Sequence, residues 1–472
     1  MSKDSQHCYK TTYDKADCAI GVVHIGYGAF HRAHQAIYFD DYMELTGELA
    51  WGIAAVNLRQ EESDSFTKMH DVDDGYLVKT TTHDGVTDFR LVRAHVGFAD
   101  WSQDADEAES LLSNPSVHLV TVTVTESGYY LNERGQLNNA DPLIASELAG
   151  GEACTIYGYL ARALGKRAAK INQPVSILCC DNIRTNGQML EQNFLAYLEA
   201  ANQNDLADWV RINVTFPCSM VDRITPRTTT TLTQEIDAIF PGQKLNPIHA
   251  ESFIQWVLED NFAAPLPALT KVGVEIVDNV HPYEEAKIRI LNGGHTGLSY
   301  LGALAGHKTF DEAMRDPVCR AHFDGFEDNE ILPALSISLP FDKAVYKQQI
   351  ADRFSNEAIS DSLERICMDG YSKFPIFVLP TLEGCLHQGI SPKFGYETIA
   401  SWYVYARKHA IGKMPVTYHE PNWDVLEPLL ADGQEEAFAR SRNLWGTLPE
   451  TTAEFVSELV STIKKVEQQW LT

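Results

Sequence analysis

A short apolar stretch that runs into two closely spaced glycines constrains the fold of this chain more than any other feature. Residues 19–30 read Ala-Ile-Gly-Val-Val-His-Ile-Gly-Tyr-Gly-Ala-Phe, which predicts a buried strand followed by a Gly-x-Gly turn at Gly26 and Gly28. A helix-like stretch continues to Leu45, and a second strand is predicted over residues 51–58. This order of strand, glycine turn, helix and strand is typical of a dinucleotide-binding unit.

The glycine fingerprint of that unit is incomplete. His31 stands where the third glycine of G-x-G-x-x-G belongs, so a tight turn without a cofactor is an equally good interpretation of the motif by itself. Glu61 and Glu62 follow the second strand, where a carboxylate binds the ribose hydroxyls of NAD and repels the additional phosphate of NADP. Glu61 lies about 33 residues beyond Gly28, farther than the usual spacing of about 20, and Arg59 would weaken the preference. NAD is the expected cofactor.

Two further predicted strands end in polar residues. Residues 117–125 are followed by Glu126, and residues 175–180 are followed by Asp181 and Asn182. Ligands of open parallel sheets bind beyond the carboxyl ends of the strands. We therefore expect Glu126, Asn182 and the glycine turn to face one crevice.

The pattern changes near residue 280, where helical periodicity replaces strand-like runs. The chain has 472 residues, more than the roughly 250–300 at which a single core stops growing. The predicted fold class is α/β, with an N-terminal Rossmann-type parallel-sheet domain over residues 1–279 and a mostly α-helical C-terminal domain over residues 280–472. The predicted helices of the second domain cover residues 285–305, 351–368, 396–409, 425–431 and 452–471.

One segment of the second domain concentrates groups suited to proton chemistry. At about 100° per residue, Lys287, Asn292 and His295 fall at about 0°, 140° and 80° around a helix, so they share one broad face. Such a face would hold and deprotonate a hydroxyl group, whereas a solvated surface helix is the competing interpretation. Gly293 and Gly294 each cost a helix interior roughly 1 kcal/mol relative to alanine. That cost indicates the close approach of another chain segment or a ligand.

Charge and composition exclude several classes of protein. The 38 basic and 65 acidic residues give a net charge of −27, which repels nucleic acid and anionic membranes. No apolar run reaches the roughly 20 residues that span a bilayer, and residues 1–17 lack the apolar core of a secretory signal, so a cytoplasmic location is expected. The nine cysteines show no C-x-x-C spacing and are expected to be reduced, mostly buried thiols.

Several motifs together resemble one known family, the polyol-specific long-chain dehydrogenases and reductases, or mannitol dehydrogenase family. The resemblance covers residues 21–470 approximately. Its motifs are K-x-x-x-x-N-x-x-H at Lys287, Asn292 and His295, Gly26-x-Gly28-x-Phe30-His31-Arg32-Ala33-His34-Gln35, Cys179-Cys180-Asp181-Asn182, Met220-Val221-Asp222-Arg223-Ile224 and Ser372-Lys373. The stretches 128–132, 155–158, 282–292, 369–373 and 380–383 most resemble members that oxidise D-arabinitol at C4, although Gly293-Gly294 departs from the Gly-Ser or Ala-Ser expected before the histidine.

The resemblance implies NAD-dependent, metal-independent oxidation of a sugar alcohol to a ketose, most closely of D-arabinitol to D-xylulose. It implies that Lys287 is the general acid and base, which requires a pKa well below the usual value of about 10.4. The other roles it implies are alkoxide donors (Asn182, Asn292), a substrate-orienting imidazole (His295), a proton relay (Glu126), substrate-binding groups (Arg365, Lys373, Asp222) and cofactor-binding groups (Gly26, Gly28, Phe30, Arg32, Glu61, Glu62).

Other interpretations remain open from the sequence. Oxidation of D-mannitol to D-fructose or reduction of fructuronate would use the same machinery, and Arg184 is a candidate partner for a uronate carboxylate. A non-catalytic nucleotide and sugar sensor on the same fold is a remote alternative. Arg365 and Lys373 would equally form ordinary ion pairs, and Asp222 an internal salt bridge with Arg223. The expected partners are a small polyol or ketose, with no nucleic acid or membrane, for a monomer or small homo-oligomer.

Overall fold

The computed structural model describes residues 8–132, 134–414 and 417–471, which form two compact units. Among these residues the first unit extends to His281, apart from His83–Gly85, and the second comprises His83–Gly85 and the chain from Pro282 onward. Residues 1–7, part of the segment considered for a secretory signal, lie outside the described residues.

The strands of the first unit are short and numbered here in chain order. They are β1 (Cys8–Lys10), β2 (Ile20–Ile25), β3 (Gly52–Asn57), β4 (Tyr76–Thr81), β5 (Thr87–Val92), β6 (His95–Asp100), β7 (Leu119–Val122), β8 (Val175–Cys179), β9 (Val214–Thr215), β10 (Ser219–Asp222), β11 (Ile248–Glu251), β12 (Gln255–Glu259) and β13 (Glu275–Val277).

A six-stranded, wholly parallel sheet organises this unit, with strand order β6-β3-β2-β7-β8-β9. Its central strands are buried on both faces because helices cover them. Val23 and Ile25 of β2 pack into one apolar cluster, whereas Val22 packs into the cluster on the opposite face. This period-2 alternation within a continuous apolar run is what a parallel sheet requires. The predicted Rossmann-type sheet is confirmed.

Nine helices accompany the strands among the described residues of this unit. They are α1 (Ala29–Ala33), α2 (Gln35–Thr46), α3 (Ser63–His70), α4 (Ala105–Ser110), α5 (Pro142–Leu148), α6 (Ile156–Lys170), α7 (Asn186–Ala200), α8 (Asn204–Asn213) and α9 (Thr230–Ile239).

Two smaller sheets complete the unit, and the sequence analysis did not predict them. One has the order β1-β5-β4-β11 and includes the antiparallel pair β4 and β5; the other has the order β10-β12-β13. Their strands have three to six residues and irregular burial patterns. Such short segments carry too little periodicity to be recognised from sequence.

The second unit is mostly α-helical, as predicted. Its helices are α10 (His281–Ala286), α11 (Gly293–Leu304), α12 (Phe310–Arg315), α13 (Pro317–Phe326), α14 (Leu332–Ala334), α15 (Lys343–Phe354), α16 (Leu363–Ile366), α17 (Gly370–Phe377), α18 (Leu379–His387), α19 (Lys393–Ala410), α20 (Trp423–Leu426), α21 (Glu435–Ala439), α22 (Arg442–Trp445), α23 (Leu448–Thr451) and α24 (Phe455–Trp470). One apolar cluster includes buried residues of α11, α19 and α24.

The predicted continuous helix over residues 351–368 is wrong. α15 ends at Phe354, and the chain resumes a helix only at Leu363. Here the backbone pairs with the segment that leads into α12: Phe310 N donates to Asp361 O at 2.9 Å, and Leu363 N donates to Lys308 O at 2.9 Å. These long-range bonds replace the helical ones, and a helical period in the sequence does not reveal them.

Two expectations from the composition concerned membrane-spanning segments and the cysteines. Within the described parts of the chain, no helix has both the length and the apolar character needed to cross a bilayer. All nine cysteines are free and six of them are buried, which confirms the expectation of mostly buried thiols.

Candidate functional site

The glycine turn follows β2 directly. Gly26 has φ +97° and donates its N–H to Val56 O at 3.0 Å, and a Cβ built there would lie 2.0 Å from Thr123 O. No side chain fits at that position. Gly28 precedes α1, and a Cβ there would meet no atom within 4 Å. The first glycine therefore serves the fold, while the second leaves open space at the start of a helix.

His31, in the place of the third glycine, is fully buried against the sheet. Its ring stacks on that of His24 in β2 with centroids 3.2 Å apart, and its Nε2 lies 3.0 Å from His95 Nε2. Burial lowers the pKa of His24 to about 3 and that of His31 well below its usual value, so both imidazoles are neutral. A stacked histidine pair thus fills the space that a third glycine would leave for close helix–sheet packing.

Arg32 lies in an unusual environment for a cation. It is 6% exposed, and its guanidinium lies over the rings of Tyr27 and Tyr76 at 5.1 and 5.4 Å. Its Nη2 donates to Met69 Sδ at 3.5 Å, while Nε and Nη1 have no hydrogen-bond partner among the described residues. Phe30, two residues before Arg32, stacks on His34 with centroids 4.9 Å apart.

The ends of three neighbouring strands of the parallel sheet line one cavity of about 210 Å³. The β2 end contributes Gly26–Gly28, the β3 end Asn57–Arg59 and the β7 end Thr123–Thr125. Both glutamates are exposed; Glu62 lines the cavity and pairs with Arg59 at 3.5 Å, whereas Glu61 does not line it. Of the two predicted carboxylates, Glu62 is therefore the one beside this cavity.

Asp181 joins the ends of β7 and β8. Its carboxylate accepts hydrogen bonds from Val124 N at 3.0 Å, Thr125 N at 3.2 Å and the Tyr129 hydroxyl at 2.7 Å. Burial raises its pKa to about 6. Glu126 comes directly after the backbone segment that Asp181 binds. It is the first residue of the 3₁₀ turn Glu126–Tyr129, and its side chain is exposed.

Asn182, next to Asp181, is also exposed and is not among the residues that line the cavity. The structure therefore brings the glycine turn and the β7 end together, but neither Glu126 nor Asn182 is among the residues that line the cavity. Arg184 lies in the same turn and is partly buried.

Asp222 and Arg223 lie outside the six-stranded sheet. Asp222 ends β10 and is 3% exposed. The Arg223 guanidinium donates to carbonyl oxygens, with Nε 2.9 Å from Glu251 O and Nη1 bonded to Ala33 O. Arg223 thus ties α1 to β11 and has a structural function.

In the second unit, Lys287 begins a π-helical segment, Lys287–Asn292, between α10 and α11. A π-helix, with hydrogen bonds between residues i and i+5, has more residues per turn than an α-helix. Side chains five positions apart therefore lie at a smaller angle to each other around its axis. The separation of about 140° expected for an α-helix is therefore wrong for Lys287 and Asn292, which lie closer together around the axis. Lys287 is 8% exposed. The solvated surface helix is excluded, and single π-helical turns are frequent at functional sites.

The glycine pair after Asn292 is packed against other chain segments, as expected. A Cβ on Gly293 would lie 3.1 Å from Phe377 O, and one on Gly294 would lie 2.3 Å from Glu327 Oε1. The close approach comes from α17 and from the second π-helical segment, Glu327–Ile331.

His295 is held by aromatic rings. It stacks on Phe354 with centroids 4.9 Å apart and meets the edge of Phe310 at 4.4 Å. Burial lowers its pKa to about 3, the nearby Asp361 opposes the shift, and Arg365 and Lys373 add to it. His295 is thus a neutral imidazole that keeps part of its surface exposed.

Arg365, Lys373 and Arg353 are the cations whose charges lower the pKa of His295. Arg365 is half exposed and forms a two-pronged ion pair with Asp361, one turn earlier, with Nε to Oδ1 at 2.8 Å. Lys373 donates to Ile366 O at 3.0 Å, and burial lowers its pKa. The structure therefore brings three predicted residues of this unit, His295, Arg365 and Lys373, into one electrostatic cluster.

Two acidic residues of this unit were missed by the sequence analysis. Asp361 anchors Arg365, and its spacing of four residues was a readable signal. Glu284 is 8% exposed and precedes Lys287 by three residues, a spacing that places the two side chains side by side on a helix.

Two family profiles match the chain almost end to end. The profile described as the mannitol dehydrogenase Rossmann domain matches residues 20–271, and the mannitol dehydrogenase C-terminal domain matches residues 279–467. The chain belongs to the mannitol dehydrogenase family. The predicted family and the predicted enzyme class, an oxidoreductase of the polyol dehydrogenase type, are confirmed.

Relatives of this family include enzymes named for different polyols. D-Arabinitol 4-dehydrogenase of Klebsiella pneumoniae is 35% identical over 432 residues, covering 90% of this chain and 94% of that protein. Mannitol 2-dehydrogenase of Cereibacter sphaeroides is 35% identical over 419 residues, covering 89% and 87%. Identity alone therefore does not separate the two substrates.

Among solved structures, the ternary complex of Pseudomonas fluorescens mannitol 2-dehydrogenase with NAD and D-mannitol superposes with a TM-score of 0.87. It is 32% identical and covers 98% of this chain and 94% of that one. The cofactor in that complex is the one predicted here from sequence.

Proposed function

We propose that this mannitol dehydrogenase family member is an NAD-dependent polyol dehydrogenase that oxidises D-arabinitol to D-xylulose. The observation that carries the reaction class is the buried Lys287 at the start of a π-helical segment that ends at Asn292 and continues into the helix that carries His295. A base, an amide donor and a neutral imidazole are the groups that deprotonation of a secondary alcohol needs.

The residues around the glycine turn fit a dinucleotide. Gly28 leaves open space where α1 begins, so a pyrophosphate would approach the backbone closely there. Phe30 and the buried cation of Arg32 lie on α1 beside this turn. Glu62 beside the cavity would accept hydrogen bonds from ribose hydroxyls, with Arg59 as its neighbour and Glu61 farther out. When bound, NAD would supply the acceptor for the hydride that leaves the substrate carbon.

Lys287 would take the alcohol proton in its neutral form. Burial disfavours a charged ammonium, so a lysine that is 8% exposed is suited to act as a base. The amide groups of Asn182 and Asn292 would donate N–H hydrogen bonds to the developing alkoxide. Glu126 would pass the proton on to solvent, since its side chain is exposed.

The remaining polar groups would hold the substrate chain. With its pKa near 3, His295 stays neutral and offers one N–H donor and one acceptor nitrogen to a substrate hydroxyl. Arg365 and Lys373, which lie around His295, would donate to hydroxyls farther along the polyol. Asp222 would accept from a hydroxyl.

D-Arabinitol is proposed as the substrate because the Klebsiella enzyme aligns over nearly the whole of both chains and because the stretches quoted above resemble arabinitol-specific members. D-Mannitol is the second candidate, because the structural neighbour with a TM-score of 0.87 is a complex with that polyol.

The test is NADH formation by the purified protein with NAD and, in parallel, D-arabinitol and D-mannitol, with fructuronate reduction as a third assay. We expect the highest kcat/KM with D-arabinitol. A higher value with D-mannitol or fructuronate would overturn the substrate and keep the reaction class. NAD binding without turnover of any of the three would instead indicate a sensor.

Substitution of Lys287 tests the base. Lys287→Ala should lower kcat by about 10²–10⁴-fold, the usual contribution of a general base, while NAD affinity measured by calorimetry stays unchanged. Lys347→Ala is the matched control, since Lys347 is 9% exposed in the same unit and pairs at 2.6 Å with Asp324, which has no assigned role in the site. A comparable loss of kcat in both variants would argue against a chemical role for Lys287.

A further inference from the structure

A second group of ligand-type side chains lies away from the residues assigned above. His307, Asp316 and Cys319 of the second unit present an imidazole nitrogen, a carboxylate oxygen and a thiol sulfur that all lie within 4.8 Å of one another. Imidazole, carboxylate and thiol are the three side-chain types that bind zinc in proteins.

The backbone fixes all three residues before any ion binds. His307 follows α11 in a glycine-based helix end, where Gly306 has φ +90° and His307 N donates to Gly302 O at 3.1 Å. Asp316 precedes α13, and its Oδ1 accepts from Val318 N at 2.8 Å and Cys319 N at 3.0 Å. Oδ2 of the same carboxylate faces His307 instead. A site preorganised in this way loses little conformational entropy on binding an ion.

The distances suit a tetrahedral ion. Two ligand atoms that are each about 2.0–2.1 Å from a tetrahedral zinc ion stand about 3.4 Å apart. His307 Nε2 and Asp316 Oδ2 are 3.4 Å apart, too far for a good hydrogen bond, and Nε2 is a buried atom without a hydrogen-bond partner among the described residues. The pair is therefore spaced for an ion between the two atoms.

The charges of the three side chains and the solvent exposure of two of them also suit a divalent cation. A thiolate and a carboxylate together neutralise a divalent cation, so the bound ion leaves no net charge in a partly buried position. Cys319 is 1% exposed, whereas the side chains of His307 and Asp316 are 24% and 30% exposed, so an ion and a water as fourth ligand would enter from their side.

We infer that His307, Asp316 and Cys319 bind a divalent transition-metal ion, best fitted by Zn²⁺, in an accessory site that is separate from the alcohol chemistry. Binding displaces the thiol proton to solvent and joins the end of α11 to the start of α13. The expected effect is a more stable second unit, not a change in the chemical step.

The test uses the full-length protein after treatment with a chelator. Co²⁺ added in equimolar amount should produce a sulfur-to-cobalt charge-transfer band and the visible bands of a tetrahedral ion, and Zn²⁺ should remove both. Cys319→Ser should abolish the charge-transfer band, and His307→Ala should weaken Co²⁺ binding at least about tenfold. Cys385→Ser is the control, since Cys385 is equally buried but lies elsewhere, bonded to Glu330 O at 3.5 Å.

Two spectroscopic results would overturn the inference. One is the absence of a charge-transfer band in the wild-type protein, and the other is a band that persists in both His307→Ala and Cys319→Ser. Should Cys319→Ser fail to fold, the partly exposed His307→Ala still decides. Zn²⁺ should raise the melting temperature of the wild type but not of His307→Ala. Loss of NADH formation on chelation would refute the accessory nature of the site.

Discussion

Gly26 and Gly28 are two residues apart, yet only Gly28 has space around it for a side chain. Gly26→Ala would force an alanine to φ +97° and place Cβ 2.0 Å from Thr123 O. We expect it to lower the free energy of unfolding of the first unit by about 2–4 kcal/mol, combining left-handed strain with a backbone clash. Urea unfolding followed by fluorescence measures this change.

Gly28→Ala is the matched variant. Gly28 has φ −74° and open space around it, so stability should change by less than about 1 kcal/mol. NAD affinity measured by calorimetry should nevertheless fall at least about tenfold, because the methyl group occupies the approach to the turn. Unchanged affinity in Gly28→Ala would mean that the pyrophosphate binds elsewhere.

Protonation of His295 should contribute to the pH dependence of the free energy of unfolding. Its pKa is about 3 in the folded protein, so it is neutral there and protonates on unfolding below about pH 6.5. Stability is therefore lost as pH falls from about 6.5 towards 3. Between pH 4.5 and 5.5, about one proton is taken up on unfolding, which corresponds to about 1.4 kcal/mol per pH unit.

His295→Asn should remove that contribution, making the slope of unfolding free energy against pH shallower by about 1.4 kcal/mol per unit in chemical denaturation experiments. The exposed His387 provides the control, and His387→Gln should keep the wild-type slope. Equal slopes in His295→Asn and wild type would show that His295 is already charged in the folded protein.

At the scale of elements, the π-helical segment and α11 depend on glycine for their packing. Glu327 is completely buried, its carboxyl oxygens have no hydrogen-bond partner among the described residues, and burial raises its pKa well above the usual value. This carboxyl group and the ring of Phe323 occupy the space beside Gly294.

Gly294→Ala should therefore destabilise the second unit by about 1–3 kcal/mol, the usual cost of overpacking, although alanine favours a helix. In a Glu327→Ala background the cost should fall, which a double-mutant cycle by urea unfolding measures. Gly165→Ala in α6 is the control, because its Cβ would meet its nearest atom at 3.9 Å. That variant should be neutral or more stable, by about 0.5–1 kcal/mol.

At the scale of the whole molecule, the net charge of −27 makes the folded chain repel itself. Raising NaCl from about 0.02 M to about 0.3 M shortens the Debye length from about 20 Å to about 6 Å and screens this repulsion. The melting temperature at pH 7.5 should rise by about 2 °C or more. The effect should shrink towards the isoelectric point of about 4.9. Scanning calorimetry at both pH values measures it, and a fall in melting temperature with salt at pH 7.5 would contradict the expectation.

Features encoded by neighbouring residues were predictable. The buried strand that ends at Ile25, the glycine turn and the acidic pair Glu61 and Glu62 occur within one short stretch and predicted the parallel-sheet unit. The shared motifs predicted the family, whereas the common helix face expected from the spacing of Lys287, Asn292 and His295 stays a prediction. A local period and the chemistry of a turn depend on residues close in sequence, so they can be read without knowing the fold.

Features that depend on distant partners were decided by the tertiary structure. The π-helical geometry at Lys287, the aromatic pocket of His295 and the break between α15 and α16 arise from contacts between separate segments. The same is true of the choice of Glu62 rather than Glu61 beside the cavity. The sequence by itself determined the fold class, the family and the residue types of the site. Only packing between distant segments determined the burial, the protonation state and the orientation of these side chains. Desolvation and contact depend on groups that are far apart in the sequence.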